Sequence, residues 1–193
     1  FGYTYIGTDP ACAPRTDMVE VNTSTGGSVA LAGDDINFCN PYRTTTLDAT
    51  ALFSGTGQWQ IEQVLAGGTP TIANTSSPTS SITFSQSGSV VLRWSSYGSN
   101  PACGPSSSDL VTVTYTAPAN AGSDQTLCEI TSTNLSALNP SPATGIWTQL
   151  SGPTTASIGN DTSNETVVSG LVSGSYTFRW TVSGAGGTCI TYD

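Results

Sequence analysis

The chain has 193 residues, of which 9% are charged and 36% hydrophobic, and its formal charge is −9. Four arginines, no lysine and no histidine leave it without the basic footprint of a nucleic-acid binder, and anionic membrane surfaces would repel it. Without histidine there is no Ser-His-Asp or Cys-His nucleophile and no His-based metal site, and without lysine there is no Schiff-base chemistry.

Thr, Val, Ile, Tyr and Trp recur along the whole chain, whereas no stretch sustains an apolar period of 3.6 residues, so the sequence reads as all-β. No apolar run approaches the ~20 residues of a membrane-spanning helix. The chain starts at Phe1 with no signal peptide, so a targeting sequence is expected upstream or to have been removed.

Taken in chain order, the first landmark is Asp9-Pro10-Ala11-Cys12, followed by Asp17-Met18-Val19-Glu20-Val21. Both return later, as Asn100-Pro101-Ala102-Cys103 and Asp109-Leu110-Val111-Thr112-Val113. Residues 1–24 are therefore expected to be the C-terminal end of an upstream repeat.

Residues 25–117 then form one complete unit. Ala32-Gly33-Asp34-Asp35 leads into Cys39, Gly57-Gln58-Trp59 lies on a third strand, and Val90, Leu92 and Trp94 alternate with Arg93 on a long one. The last strand sets Val111, Val113 and Tyr115 against Thr112, Thr114 and Thr116.

Residues 118–193 repeat the pattern. Ala121-Gly122-Ser123-Asp124 leads into Cys128, which lies 89 positions after Cys39, and Trp147 follows Trp59 by 88. Trp180 and Cys189 each follow their counterparts, Trp94 and Cys103, by 86. Strands are expected around Asp124 to Cys128, Thr133 to Leu138, Gly145 to Leu150, twice within Ala156 to Leu171, and from Tyr176 to Val182. Asp193 stands where Asp17 and Asp109 stand, so this unit is expected to lack its last strand, supplied either by a continuing chain or by a strand from elsewhere. Turn pairs such as Gly67-Gly68, Ser77-Pro78 and Gly152-Pro153 punctuate the strands. The architecture these features predict is a tandem of immunoglobulin-like β-sandwich repeats of about seven strands, with Trp59, Trp94, Trp147 and Trp180 in the cores.

Five cysteines in such a composition point to disulfides and an oxidising, extracellular setting. Two per repeat predict Cys39–Cys103 and Cys128–Cys189, with Cys12 paired to a partner upstream. Each bridge would close some 64 residues and stabilise its sandwich by roughly 4 kcal/mol in the chain-entropy relation.

Asp34, Asp35 and Asp124, with Asp17, Asp109 and Asp193, would gather carboxylate oxygens near repeat junctions, a ligand type suited to calcium. The other reading is that they cap turns through backbone amides. Acidic residues recur at equivalent places in successive repeats, which fits ornaments of a module better than a glycosidase pair.

Three runs carry a family likeness: Ala121-Gly122-Ser123-Asp124-Gln125, Trp147-Thr148-Gln149-Leu150-Ser151-Gly152-Pro153, and Gly174 through Val182. With them the last repeat resembles the polycystic-kidney-disease-like (PKD-like) and related immunoglobulin-like repeats of Bacteroidota surface proteins. The middle repeat resembles them less, because no Ser-Gly-Pro follows Trp59-Gln60-Ile61-Glu62. The resemblance implies a seven-stranded spacer or adhesive sandwich without catalytic residues. It also implies a cell-surface setting reached by export across the outer membrane, including the gliding-motility adhesins exported by type nine secretion.

The expected function is thus a non-catalytic segment of a large surface adhesin or filament. Its partners would be neighbouring repeats, surface polysaccharide, or outer-membrane motility and secretion components. The alternative is an accessory or carbohydrate-binding module of a secreted multidomain enzyme, for which Tyr3, Tyr5, Tyr42 and Tyr97 are the aromatic candidates.

Overall fold

The computed structural model describes residues 2–5, 15–21, 23, 25–187 and 189–193. A short hairpin opens it, β1 (Gly2–Tyr5) against β2 (Arg15–Met18).

Seven strands follow: β3 (Ile36–Phe38), β4 (Thr44–Thr46), β5 (Thr56–Ala66), β6 (Thr71–Ile72), β7 (Ser81–Thr83), β8 (Gly88–Tyr97) and β9 (Pro105–Tyr115). They form two sheets, β3-β9-β8-β5 and β4-β7-β6. Alternation explains the sandwich: Val90, Leu92 and Trp94 of β8 and Val111, Val113 and Tyr115 of β9 send buried side chains to one side, where Trp59, Ile82, Phe84 and Leu47 meet them. The opposite side of β9 is drier than the alternation predicts. Thr114 is buried because its hydroxyl bonds that of Ser89 at 2.9 Å, which satisfies both groups.

Six more strands build a second pair of sheets: β10 (Ser132–Ser136), β11 (Thr144–Ser151), β12 (Ser157–Ile158), β13 (Glu165–Ser169), β14 (Thr177–Ser183) and β15 (Thr191–Tyr192). Their orders, β11-β14-β15 and β10-β13-β12, copy those of the first unit. This unit has its own core of Trp147, Trp180, Val182 and Ala137. Both are immunoglobulin-like β-sandwiches, and the chain is all-β apart from short 3₁₀ turns.

The copying extends to individual contacts. Trp59 pairs with Trp94 and Trp147 with Trp180, at ring separations of 5.0 and 5.1 Å and tilts of 43° and 46°. Gly57 and Gly145 lie against the rings of Trp94 and Trp180, where any Cβ would collide. Gly33 and Gly122 both hold left-handed backbone, φ 87° and 90°, with a backbone carbonyl (Asp48 and Ser136) 2.6 and 2.5 Å from where a Cβ would sit. The hairpin shares the register: Tyr3 faces Asp17 as Trp94 faces Asp109, and Trp180 and Asp193 exchange backbone hydrogen bonds.

Two strand expectations are corrected. No strand forms over Asp124 to Cys128, although its counterpart β3 is one. β3 is held by parallel pairing with Val113–Tyr115, whereas in the second unit Gln125 bonds β10 through its side chain, donating to Asn134 O and accepting from Thr133 Oγ1. The last strand of the second unit is also not wholly missing. It begins as β15 on β14, and Asp193 extends the pairing to Trp180.

Candidate functional site

The segment that leads into each sandwich runs alongside the last strand, and side chains hold it there in place of a regular ladder. In the first unit the amides of Gly27, Ala30 and Ala32 donate to Ser106 Oγ (3.0 Å), Ser107 Oγ (3.1 Å) and Asp109 Oδ2 (2.9 Å). Asp35 then reverses the direction, its Oδ1 accepting from the Thr112 amide at 2.7 Å, before β3 takes over. The second unit repeats the device, Ala119 donating to Thr191 Oγ1 (2.8 Å) and Ala121 to Asp193 Oδ2 (2.9 Å). Short acceptor side chains along the last strand satisfy amides that would otherwise be stranded.

At Asp35 and Asp109 the carboxylates bond backbone amides, as the turn-capping reading expects. Each oxygen of Asp109 accepts an amide, Oδ2 that of Ala32 and Oδ1 that of Leu110 at 2.9 Å, and Asp35 Oδ1 accepts that of Thr112. Asp34 and Asp124 are exposed. Among the described residues no group of three or more Asp, Glu, Cys or His side chains could hold a metal ion, so the expected calcium cluster at Asp34, Asp35, Asp109 and Asp124 is not assembled. The side chain of Asp17 lies outside the described residues.

The cysteines occupy the two ends of the sandwich. Cys39 follows β3, whose Phe38 faces Tyr115 at the end of β9, and Phe38 O accepts the Thr116 amide where the chain leaves for the next unit. Cys103 ends a 3₁₀ turn (Pro101–Cys103) just before β9 starts. The 11 residues of β9 therefore separate them, a span of about 35 Å at ~3.3 Å per residue.

The structure joins Cys39 to Cys189, with Cα atoms 5.6 Å apart, and leaves Cys103 and Cys128 free and exposed. The expected pairs, Cys39–Cys103 and Cys128–Cys189, are thus corrected. A disulfide needs Cα atoms within about 7 Å, and the two cysteines of a repeat lie at opposite ends. Cys12 lies outside the described residues. The bridge spans the junction instead, beside the linker 116–119: Cys39 is next to Phe38, which holds Thr116, and Cys189 is two residues before Thr191, which holds Ala119.

Of the other candidates, Trp59, Trp94, Trp147 and Trp180 are at most 2% exposed and offer no platform to a sugar. Tyr42 is exposed and Tyr97 partly so, while the side chains of Tyr3 and Tyr5 lie outside the described residues. Arg93 forms an ion pair with Glu62 at 2.7 Å on the outer face, and the Arg179 guanidinium lies 5.4 Å from the Tyr192 ring centroid.

The fold and the junction define a class, tandem immunoglobulin-like sandwiches linked end to end. Residues 121–190 match the family model described as K319L-like, PKD domain, so the second unit carries a PKD-like domain match. Among solved structures the chain is similar to the PKD domain from KIAA 1837 protein, at 20% identity over 54% of this chain and 100% of that one, TM-score 0.38. It is also similar to a titin tandem of immunoglobulin domains, at 8% identity over 88% and 95%, TM-score 0.37. A third likeness is to an endo-fucoidan hydrolase of glycoside hydrolase family 107, at 11% identity over 100% of this chain and 33% of that one, TM-score 0.31. Comparison with curated proteins finds no match. Among the described residues no helix is long and apolar enough to cross a membrane, and the disulfide is consistent with an extracellular setting.

Proposed function

We propose that the chain is a non-catalytic repeat segment of an extracellular surface adhesin or filament, which extends the polypeptide and presents adhesive regions carried elsewhere on it. The observation that carries this reading is repetition without specialisation. Two sandwiches share the same tryptophan pair, glycine contacts and amide-holding side chains. A catalytic protein concentrates perturbed, converging groups in one place.

Exposure supports extension. The accessible surface is 11810 Å², against about 8600 Å² for a compact monomer of this mass. Residues 1–24, 25–117 and 118–193 are accordingly read as the end of one repeat, a complete repeat and a further one. The PKD-like match and the junction disulfide favour the cell surface, and a gliding adhesin exported by type nine secretion is the narrower form of the proposal.

Incubating the chain with a panel of polysaccharides tests this. The expected result is no release of reducing sugar and no saturable retention on a glycan array. Saturable binding to one polysaccharide, lost on replacing exposed Tyr42, would overturn the reading in favour of a carbohydrate-binding module.

A further inference from the structure

Cys39 and Cys189 belong to different positional classes of the repeat. Cys39 marks the far end of its sandwich, where the chain departs, and Cys128 is its counterpart by sequence register. Cys103 and its counterpart Cys189 mark the near end, each two residues before the last strand, Cys103 as the final residue of a 3₁₀ turn and Cys189 two residues after one. The observed bond joins the far-end cysteine of one repeat to the near-end cysteine of the next.

Applied to every junction, this rule assigns the remaining cysteines. Cys128, exposed and the counterpart of Cys39 by sequence register, is matched to the near-end cysteine of a following repeat. Cys103, exposed at the near end of the first unit, is matched to the far-end cysteine of a preceding one, as is Cys12 by sequence register.

We infer that Cys103 and Cys128 are half-sites of a staggered disulfide ladder, in which each repeat is bonded to both neighbours and no repeat carries a bridge of its own. The ligand of each half-site is another copy of this repeat. Each junction then has two covalent connections, the linker and the bridge, so tension applied along the chain is shared between them. Closing a rung removes two electrons and two protons from two thiols, and a small-molecule disulfide accepts them as it becomes two thiols. The inference stands on the positions of the cysteines and does not depend on the adhesive role.

The register supplies the test, because Asp193 occupies the position of Asp109. Appending a second copy of residues 110–193 directly after Asp193 completes the last strand of the second unit and adds a further repeat with its own Cys189. The extended chain is refolded with oxidised and reduced glutathione, alkylated and mapped by mass spectrometry without reduction. The ladder predicts that the original Cys39–Cys189 bridge is retained, which reports correct folding, and that the original Cys128 is bonded to the added Cys189. Cys128→Ser should then leave the added Cys189 fully alkylated without disturbing the Cys39–Cys189 bridge. Full alkylation of the original Cys128 while Cys39–Cys189 is intact would overturn the inference, as would bonding of the added Cys189 to the cysteine of its own repeat.

Discussion

Trp59 and Trp94 face each other across β5 and β8 with ring centroids 5.0 Å apart, and each is 1% exposed. The same pair recurs as Trp147 and Trp180 in a core that shares no buried residue with the first. Each pair should therefore matter to its own sandwich alone. Trp94→Ala and Trp180→Ala are each expected to cost about 3–5 kcal/mol. Calorimetry should show one of two transitions moved in each case, and a different one in each.

The glycines beneath these rings make a second prediction. A methyl group at Gly57 or Gly145 collides with an indole that has no room to retreat. Gly57→Ala and Gly145→Ala should each destabilise by about 1–3 kcal/mol through overpacking, read as a lower denaturation midpoint in guanidinium.

Asp109 tests the role of the acidic residues. Its carboxylate accepts the Ala32 and Leu110 amides, so Asp109→Ala should cost about 1–3 kcal/mol. Thermal melts with calcium and with chelator should coincide for both proteins. A calcium-dependent rise in Tm that disappears in the variant would instead make Asp109 a ligand.

Tyr115 carries a pH dependence. Burial raises its phenol above the ordinary value of 10.0, and Arg43 offsets only part of that shift. Below pH 10 the phenol is protonated in both folded and unfolded chains and adds no slope. As pH rises through 10 the unfolded chain loses its proton first, so stability falls with pH up to the raised folded value. Denaturation midpoints measured from pH 9 upward should decline less steeply in Tyr115→Phe.

Much of the fold was legible because burial leaves a period of two: Val90, Leu92 and Trp94 name their own face, and the tryptophan spacing shows the repeat. The cysteine pairing was not legible. Register says that Cys39 and Cys128 are equivalent, but which end of the sandwich each occupies depends on β3 lying parallel to β9 and on the length of β9. Sequence also shows that Asp35 and Asp109 stand close to strands, yet whether their oxygens meet amides or a cation depends on backbone neighbours more than 70 residues away.

Small-angle scattering of the oxidised chain in dilute solution tests the tandem arrangement most directly. A single compact globule of this length has a radius of gyration of about 16 Å, whereas two units of about 12 Å each set end to end exceed ~20 Å. The tandem predicts the larger value with a pair-distance distribution that has two maxima. A single symmetric maximum with the smaller radius would contradict it.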